Sequence, residues 1–163
     1  MRLLIREHAF SWTDRFHVTD EDGNDRYFVE GEFFSFGRKL HITTPEGREV
    51  ARVEQEVFRF RPRYTVLVNG QPRAQIVREF TFFRPVYTVE GPGWQVEGNF
   101  WEHEYRVTDG GQPVISISKE WFTWGDSYEL DILDPDYELI SLGIVLAIDT
   151  AMAAANTASS AST

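Results

Sequence analysis

No cysteine occurs anywhere in the sequence. This removes disulfide staples, thiol nucleophiles, thiolate metal sites and palmitoylation together, and it suits a reducing compartment. Lysine is almost missing too, since 14 of the 16 basic residues are arginine. The opening segment MRLLIREHAFSW places only three consecutive apolar residues before Arg6 and Glu7, too few for a signal-peptide core, so a cytoplasmic location is expected. Basic charge is scarce in the second half. Residues 1–84 carry 14 basic and 13 acidic side chains, whereas residues 85–163 carry Arg106 and Lys119 against 13 acids, so the net charge of -10 resides there. A general nucleic-acid binder needs a basic surface, and this distribution argues against one while leaving room for a local basic patch in the first half. Also lacking are a G-x-S-x-G elbow, a phosphate loop and a G-x-G-x-x-G turn, the usual marks of hydrolase, NTPase and dinucleotide chemistry.

What is present is aromatic and strand-like. Aromatic residues make up 15% of the chain. From residue 2 to 133 short alternating runs are punctuated by the turn sequences EDGN, PEG, NG, GPG and DGG, the pattern of antiparallel β structure, with about twelve strands. Asn69-Gly70 is the sharpest hairpin signal, because a type I′ turn requires positive φ at both central residues. A weak repeat also runs through the middle: FRFRPRYTVLVNG (58–70) matches TFFRPVYTVEGPG (81–93) at an offset of 23, pairing Arg61 with Arg84, Pro62 with Pro85 and Tyr64 with Tyr87. A looser third copy, EWFTWGDSYELDIL, puts Tyr128 in the tyrosine slot. The repeat reads as a hairpin that turns a corner into a strand.

The stretch DPDYELISLGIVLAIDTAMAAA (134–155) breaks the pattern. Asp134 and Pro135 supply an N-cap and a proline at the first helical position, and Asp136 and Glu138 favour the positive end of the helix dipole. From Leu139 to Ile148 every residue except Ser141 is apolar or glycine, so this helix is apolar around its whole circumference and must be buried on all sides, in protein or in lipid. Ten residues fall short of the ~20 a bilayer span needs, and extending the run places Asp149 in the bilayer. No transmembrane span is therefore expected. A closed sheet of about twelve strands has a lumen that admits one helix, whereas eight strands are filled by side chains. The expected fold is mainly β: a twelve-stranded antiparallel closed barrel enclosing a hydrophobic C-terminal α-helix. It forms a single domain over residues 1–155, with the helix at about 135–155, inward aromatics bridging wall and helix, and a flexible Ala/Ser/Thr tail over 156–163.

In this order, the segments FFSFGRKLHI, EVFRFRPRYTV, EFTFFRPVYTV, ISKEWFTWGDSYELDI and the closing helix from Leu142 to Asp149 resemble the LURP-one-related family, of the tubby C-terminal-like superfamily that also contains phospholipid scramblases. The resemblance covers essentially the whole chain and implies the same helix-filled barrel. For function it implies less. Tubby domains bind phosphoinositides, and scramblases are membrane proteins with a calcium-responsive segment and acylated cysteines. This chain has no cysteine to acylate and no basic pair that aligns with a phosphoinositide site.

Among candidate site residues, Arg59, Arg61 and Arg63 alternate with Phe58, Phe60 and Tyr64. If the stretch is a strand, the arginines lie on one outer face about 7 Å apart and the aromatics point inward. The repeat puts Arg84 in the slot of Arg61. Such a ladder suits a lipid headgroup or another anion, while pairing with Glu54, Glu56 and Glu79 makes it ordinary exposed surface. His8, His17, His41 and His103 show no metal-ligand spacing. DEDGND (20–25) departs from an EF-hand loop and reads as a solvated turn. Glu97, Glu102, Glu104 and Glu120 could supply a hydrolytic carboxylate pair, or simply solvated strand faces. Asp149, inside a buried helix, must find hydrogen-bond donors or lie at the barrel mouth, and satisfaction by backbone amides or an arginine is favoured over a catalytic role. No cofactor or metal is expected. The expected function is a non-enzymatic cytoplasmic module, possible partners being membrane phospholipid headgroups or a protein at the barrel exterior. The alternatives are a structural or regulatory interaction domain without ligand and a hydrolase with carboxylates at the barrel rim.

Overall fold

A computed structural model describes residues 1–7, 15–34, 37–102, 104–119 and 127–161. Its strands are β1 (Arg2–Glu7), β2 (Arg15–Asp20), β3 (Asp25–Phe34), β4 (Gly37–Thr43), β5 (Glu49–Glu56), β6 (Arg63–Val68), β7 (Gln71–Glu79), β8 (Val86–Glu90), β9 (Trp94–Asn99), β10 (Glu104–Asp109), β11 (Gln112–Lys119) and β12 (Ser127–Ile132). Each pairs antiparallel with its sequence neighbours, and β1 closes on β12 through Leu3 opposite Leu130 and Ile5 opposite Tyr128. Closure removes every sheet edge. The β6–β7 hairpin turns at Asn69 and Gly70 with φ of 50° and 77°, the positive pair that a type I′ turn demands.

The α-helix α1 (Glu138–Ala161) follows a 3₁₀ turn over Pro135–Tyr137. The Asp134 carboxylate accepts from the Asp136 amide at 3.0 Å, so the cap expected from the sequence forms one turn before the α-helix proper. Arg26 on β3 grips Glu138 with Nη2 at 2.7 and 2.8 Å from the two carboxylate oxygens, fastening the helix entrance to the wall. Leu142 and the residues from Ile144 to Ile148 are completely buried, and burial continues to Met152. By length and composition alone Pro135–Ala161 would span a bilayer, but 67% of its apolar window is buried inside the barrel. The all-round apolar surface is thus covered by protein, as an all-round apolar surface requires.

Two expectations are corrected. The helix continues through Asn156–Ala161, where a flexible tail was expected: Thr157 and Ser159 hydroxyls donate to carbonyls four residues back, at 3.0 Å each, and keep those polar side chains within the helical pattern. The aromatic surplus is also not all inward. Phe16, Tyr64, Tyr87, Trp94, Phe100, Tyr105 and Tyr128 line the core, but Phe58, Phe60, Phe80, Phe82 and Phe83 are exposed.

The helix lies against β5, β6 and β7, and Gly143 makes the approach possible. A Cβ at Gly143 would stand 2.4 Å from Val66 Cγ1 on β6, and a buried β-branched side chain has little room to yield. Gly143→Ala is therefore expected to lower stability by about 1–3 kcal/mol in thermal or denaturant unfolding. Adding Val66→Ala should recover part of that loss. Wild-type stability in the single variant would place the helix elsewhere.

Candidate functional site

The two copies of the repeat form neighbouring loops. Residues 57–62 join β5 to β6 and residues 80–85 join β7 to β8, and connections of an up-and-down barrel alternate between its ends, so these two share a rim. The helix enters from the opposite rim, after β12, and its exposed last turns leave at this one. The extended reading of residues 58–64 does not hold. Phe58 adopts φ of 61°, a left-handed conformation that a bulky residue rarely enters, and Pro62 has no amide hydrogen to give a ladder. Strand alternation stops at Glu56 and resumes at Arg63. Tyr64 does face inward, at 1% exposure, but Phe58 and Phe60 face solvent at 97% and 92%. Phe82 and Phe83 are fully exposed. Phe60 meets Phe80 edge-on with ring centroids 5.2 Å apart, which joins the two loops.

The arginines are likewise not an open ladder. Arg59 Nε lies 2.8 Å from Glu56, Arg61 Nη1 2.5 Å from Glu79, and Arg63 Nη1 2.8 Å from Glu90. The repeat is visible in the bonding: Thr65 donates to Glu56 at 3.0 Å, and Thr88 donates to Glu79 at 3.1 Å. The symmetry fails at Arg84. Its counterpart Arg61 holds Glu79, but the equivalent acid, Glu102, accepts from Asn99 at 2.8 Å. Arg84 forms no ion pair among the described residues, nor does Arg78. Both line a cleft of about 390 Å³ with Pro62, Glu79, Phe80 and Pro85. Sequence reasoning missed Arg78 and the exposed phenylalanines. The available signal was the Phe-Arg-Pro sequence common to both copies of the repeat.

The Tyr128 hydroxyl donates to Asp149 Oδ2. Tyr64, Tyr87, Tyr105 and Tyr128 are each the second residue of an even-numbered strand and are buried, making an inner tyrosine layer beneath the loops. Burial, reinforced by the Asp149 charge, holds the Tyr105 hydroxyl well above its usual range, and burial lifts Tyr87 to about 12. These two hydroxyls stay protonated and have no hydrogen-bond partner among the described residues, so Tyr87 and Tyr105 act as packing groups. The acidic turn at 20–25 is an Asx turn, with the Asp20 carboxylate accepting the Asp22 and Asn24 amides at 3.0 and 2.8 Å. No metal-binding cluster exists among the described residues. His8, His103 and Glu120 lie outside them. Glu97 sits 3.8 Å from Arg106 across the β9–β10 pair.

An antiparallel barrel closed around its own C-terminal helix, with an aromatic and arginine-bearing rim, defines the class of protein. Within it, the chain belongs to the LURP-one-related family, whose model matches residues 1–149. It is 33% identical over 149 residues to YxjI, an uncharacterized protein of Bacillus subtilis (strain 168), covering 91% of this chain and 92% of that one. An X-ray structure of an Arabidopsis thaliana protein shares the fold, with a TM-score of 0.61 over 91% of both chains at 16% identity.

On the outer wall, His41 on β4 is held between two carboxylates. Nε2 lies 2.6 Å from Glu32 and Nδ1 2.5 Å from Glu49. Burial is the largest single influence and lowers the His41 pKa, but hydrogen bonds and charge from Glu49 and Glu32 together outweigh it and leave the value above 6.5. Because the folded value is the higher one, the stabilisation is complete below about 6.5 and is lost as pH rises through the folded pKa. Unfolding at a series of pH values should show this decline, and His41→Gln should flatten it. An unchanged profile in the variant would remove His41 as its source.

Proposed function

We propose that the protein is a non-enzymatic cytoplasmic module, peripheral to membranes, that binds anionic phospholipid headgroups at the rim carrying residues 57–62 and 80–85. The observation that carries this reading is that Arg78 and Arg84, which form no ion pair among the described residues, line one cleft together with Glu79, beside two loops that contain Arg59, Arg61 and Arg84 and no acidic residue. Arg59 is mostly exposed and Arg61 half-buried in their ion pairs with Glu56 and Glu79, and pairs near the surface are worth only about 0–1 kcal/mol each, so both can exchange a carboxylate for a phosphate. Family membership is consistent with the reading but does not assign a ligand.

Magnitude decides which part of the rim matters. An arginine near an anionic surface contributes about 1 kcal/mol, whereas a phenylalanine leaving water completely contributes about 1.5–3 kcal/mol. Arginines can therefore set the preference for lipid charge, while phenylalanines can supply more of the total.

In flotation at low salt, the protein should rise with phosphatidylcholine vesicles containing phosphatidylserine in preference to pure phosphatidylcholine. Arg84→Gln should weaken binding to the anionic vesicles about 5-fold, and Arg78→Gln with Arg84→Gln roughly 10- to 30-fold. Indifference to vesicle charge would dismiss the headgroup reading and favour an interaction domain with a protein partner or no ligand.

A further inference from the structure

We infer that the two phenylalanine loops form a membrane-insertion tip, which places Phe58, Phe60, Phe82 and Phe83 in the acyl boundary of a lipid bilayer and docks the barrel end-on. The inference rests on the headgroup reading above for its lipid partner, and it specifies how that partner is engaged. Four rings between 92% and 100% exposed stand on the two loops, with Phe82 and Phe83 bordering the same cleft as Arg78 and Arg84. Phenyl and guanidinium groups alternate along Phe58-Arg59-Phe60-Arg61, and Arg84 follows Phe82-Phe83 directly, so each loop combines apolar groups with a phosphate-seeking one, as interfacial segments do. Pro62 and Pro85 close the loops, and the Phe60–Phe80 contact ties them together. The tip is thus ordered before it binds, which reduces the entropy lost on insertion.

Charge distribution selects the orientation. The chain is acidic overall, yet the two loops carry three arginines and no acid. The opposite rim presents exposed Glu21, Asp22, Glu46, Asp109, Asp134 and Asp136. An anionic bilayer therefore attracts these two loops and repels the opposite rim, as it does the exposed Glu102 and Glu104 at the neighbouring β9–β10 connection. Phe58 is in addition held at positive φ, a strained conformation that turns its ring outward instead of continuing the strand.

Because the chain has no cysteine, Phe82→Cys, Phe58→Cys and Glu46→Cys each give a unique attachment point for an environment-sensitive NBD dye. With phosphatidylserine-containing vesicles, dye at positions 82 and 58 should brighten several-fold, shift to the blue and be quenched by lipids bearing nitroxides on the acyl chain. Dye at position 46 should not change. Phe82→Ser with Phe83→Ser should reduce vesicle affinity at least about 10-fold, with an unaltered melting temperature because both rings are exposed. Flotation without a response at positions 82 and 58 would overturn insertion and leave headgroup binding standing. Equal insertion into neutral vesicles would support the tip and overturn the headgroup reading. Absence of flotation on any vesicle would overturn both, and a lipid-free dimer lost in the serine variant would then reassign the rings to contact between copies of this chain.

Discussion

The structure depends on one solvation problem, which is where to put a helix that is apolar on every side. An amphipathic helix needs one neighbouring surface, but residues 142–148 need a complete sheath. Twelve strands closed edge to edge supply it, with a lumen that a narrower barrel would have filled with side chains. The constraint acts in both directions, since the wide lumen would be a void without the helix. Gly143 against Val66 and Arg26 on Glu138 set how deep and how close the helix sits.

That arrangement leaves little of the barrel for binding. The lumen is occupied by the helix, and the outer wall is largely laced with ion pairs such as Arg2 with Glu129 and Arg52 with Glu54. The rim at residues 57–62 and 80–85 differs. It exposes large apolar rings, contains arginines that lack a carboxylate partner among the described residues, and lies over the tyrosine layer that holds Asp149. Inner tyrosines and outer phenylalanines are products of the same repeated segment, so one sequence motif builds both the closure of the lumen and the surface above it.

The fold was legible because its signals are periodic or compositional. Alternation marked the strands, Asn69-Gly70 marked a hairpin, and the apolar run after Asp134-Pro135 marked a helix needing burial on all sides. The orientation of Phe58 and Phe60 was not legible, because alternation assumes a continuous strand and a single residue at positive φ cancels it. Proline at position 62 was the local warning, and its match at Pro85 the stronger one. Tyr128 as the partner of Asp149 depends on a wall–helix contact between residues 21 positions apart, which local pattern does not report. Pairing of the arginines with Glu56 and Glu79 was one of the two sequence readings, whereas the lack of an ion pair at Arg84 among the described residues was not legible, since what surrounds it is decided across strands.

The most direct test of the account is hydrogen exchange at the amides of the C-terminal helix. Enclosure predicts that residues 141–152 exchange only through global unfolding, as slowly as the central amides of β6, while residues 154–161 exchange far faster. Rapid exchange across 141–152 with the strands still protected would contradict it, because the barrel would then stand without the helix at its centre.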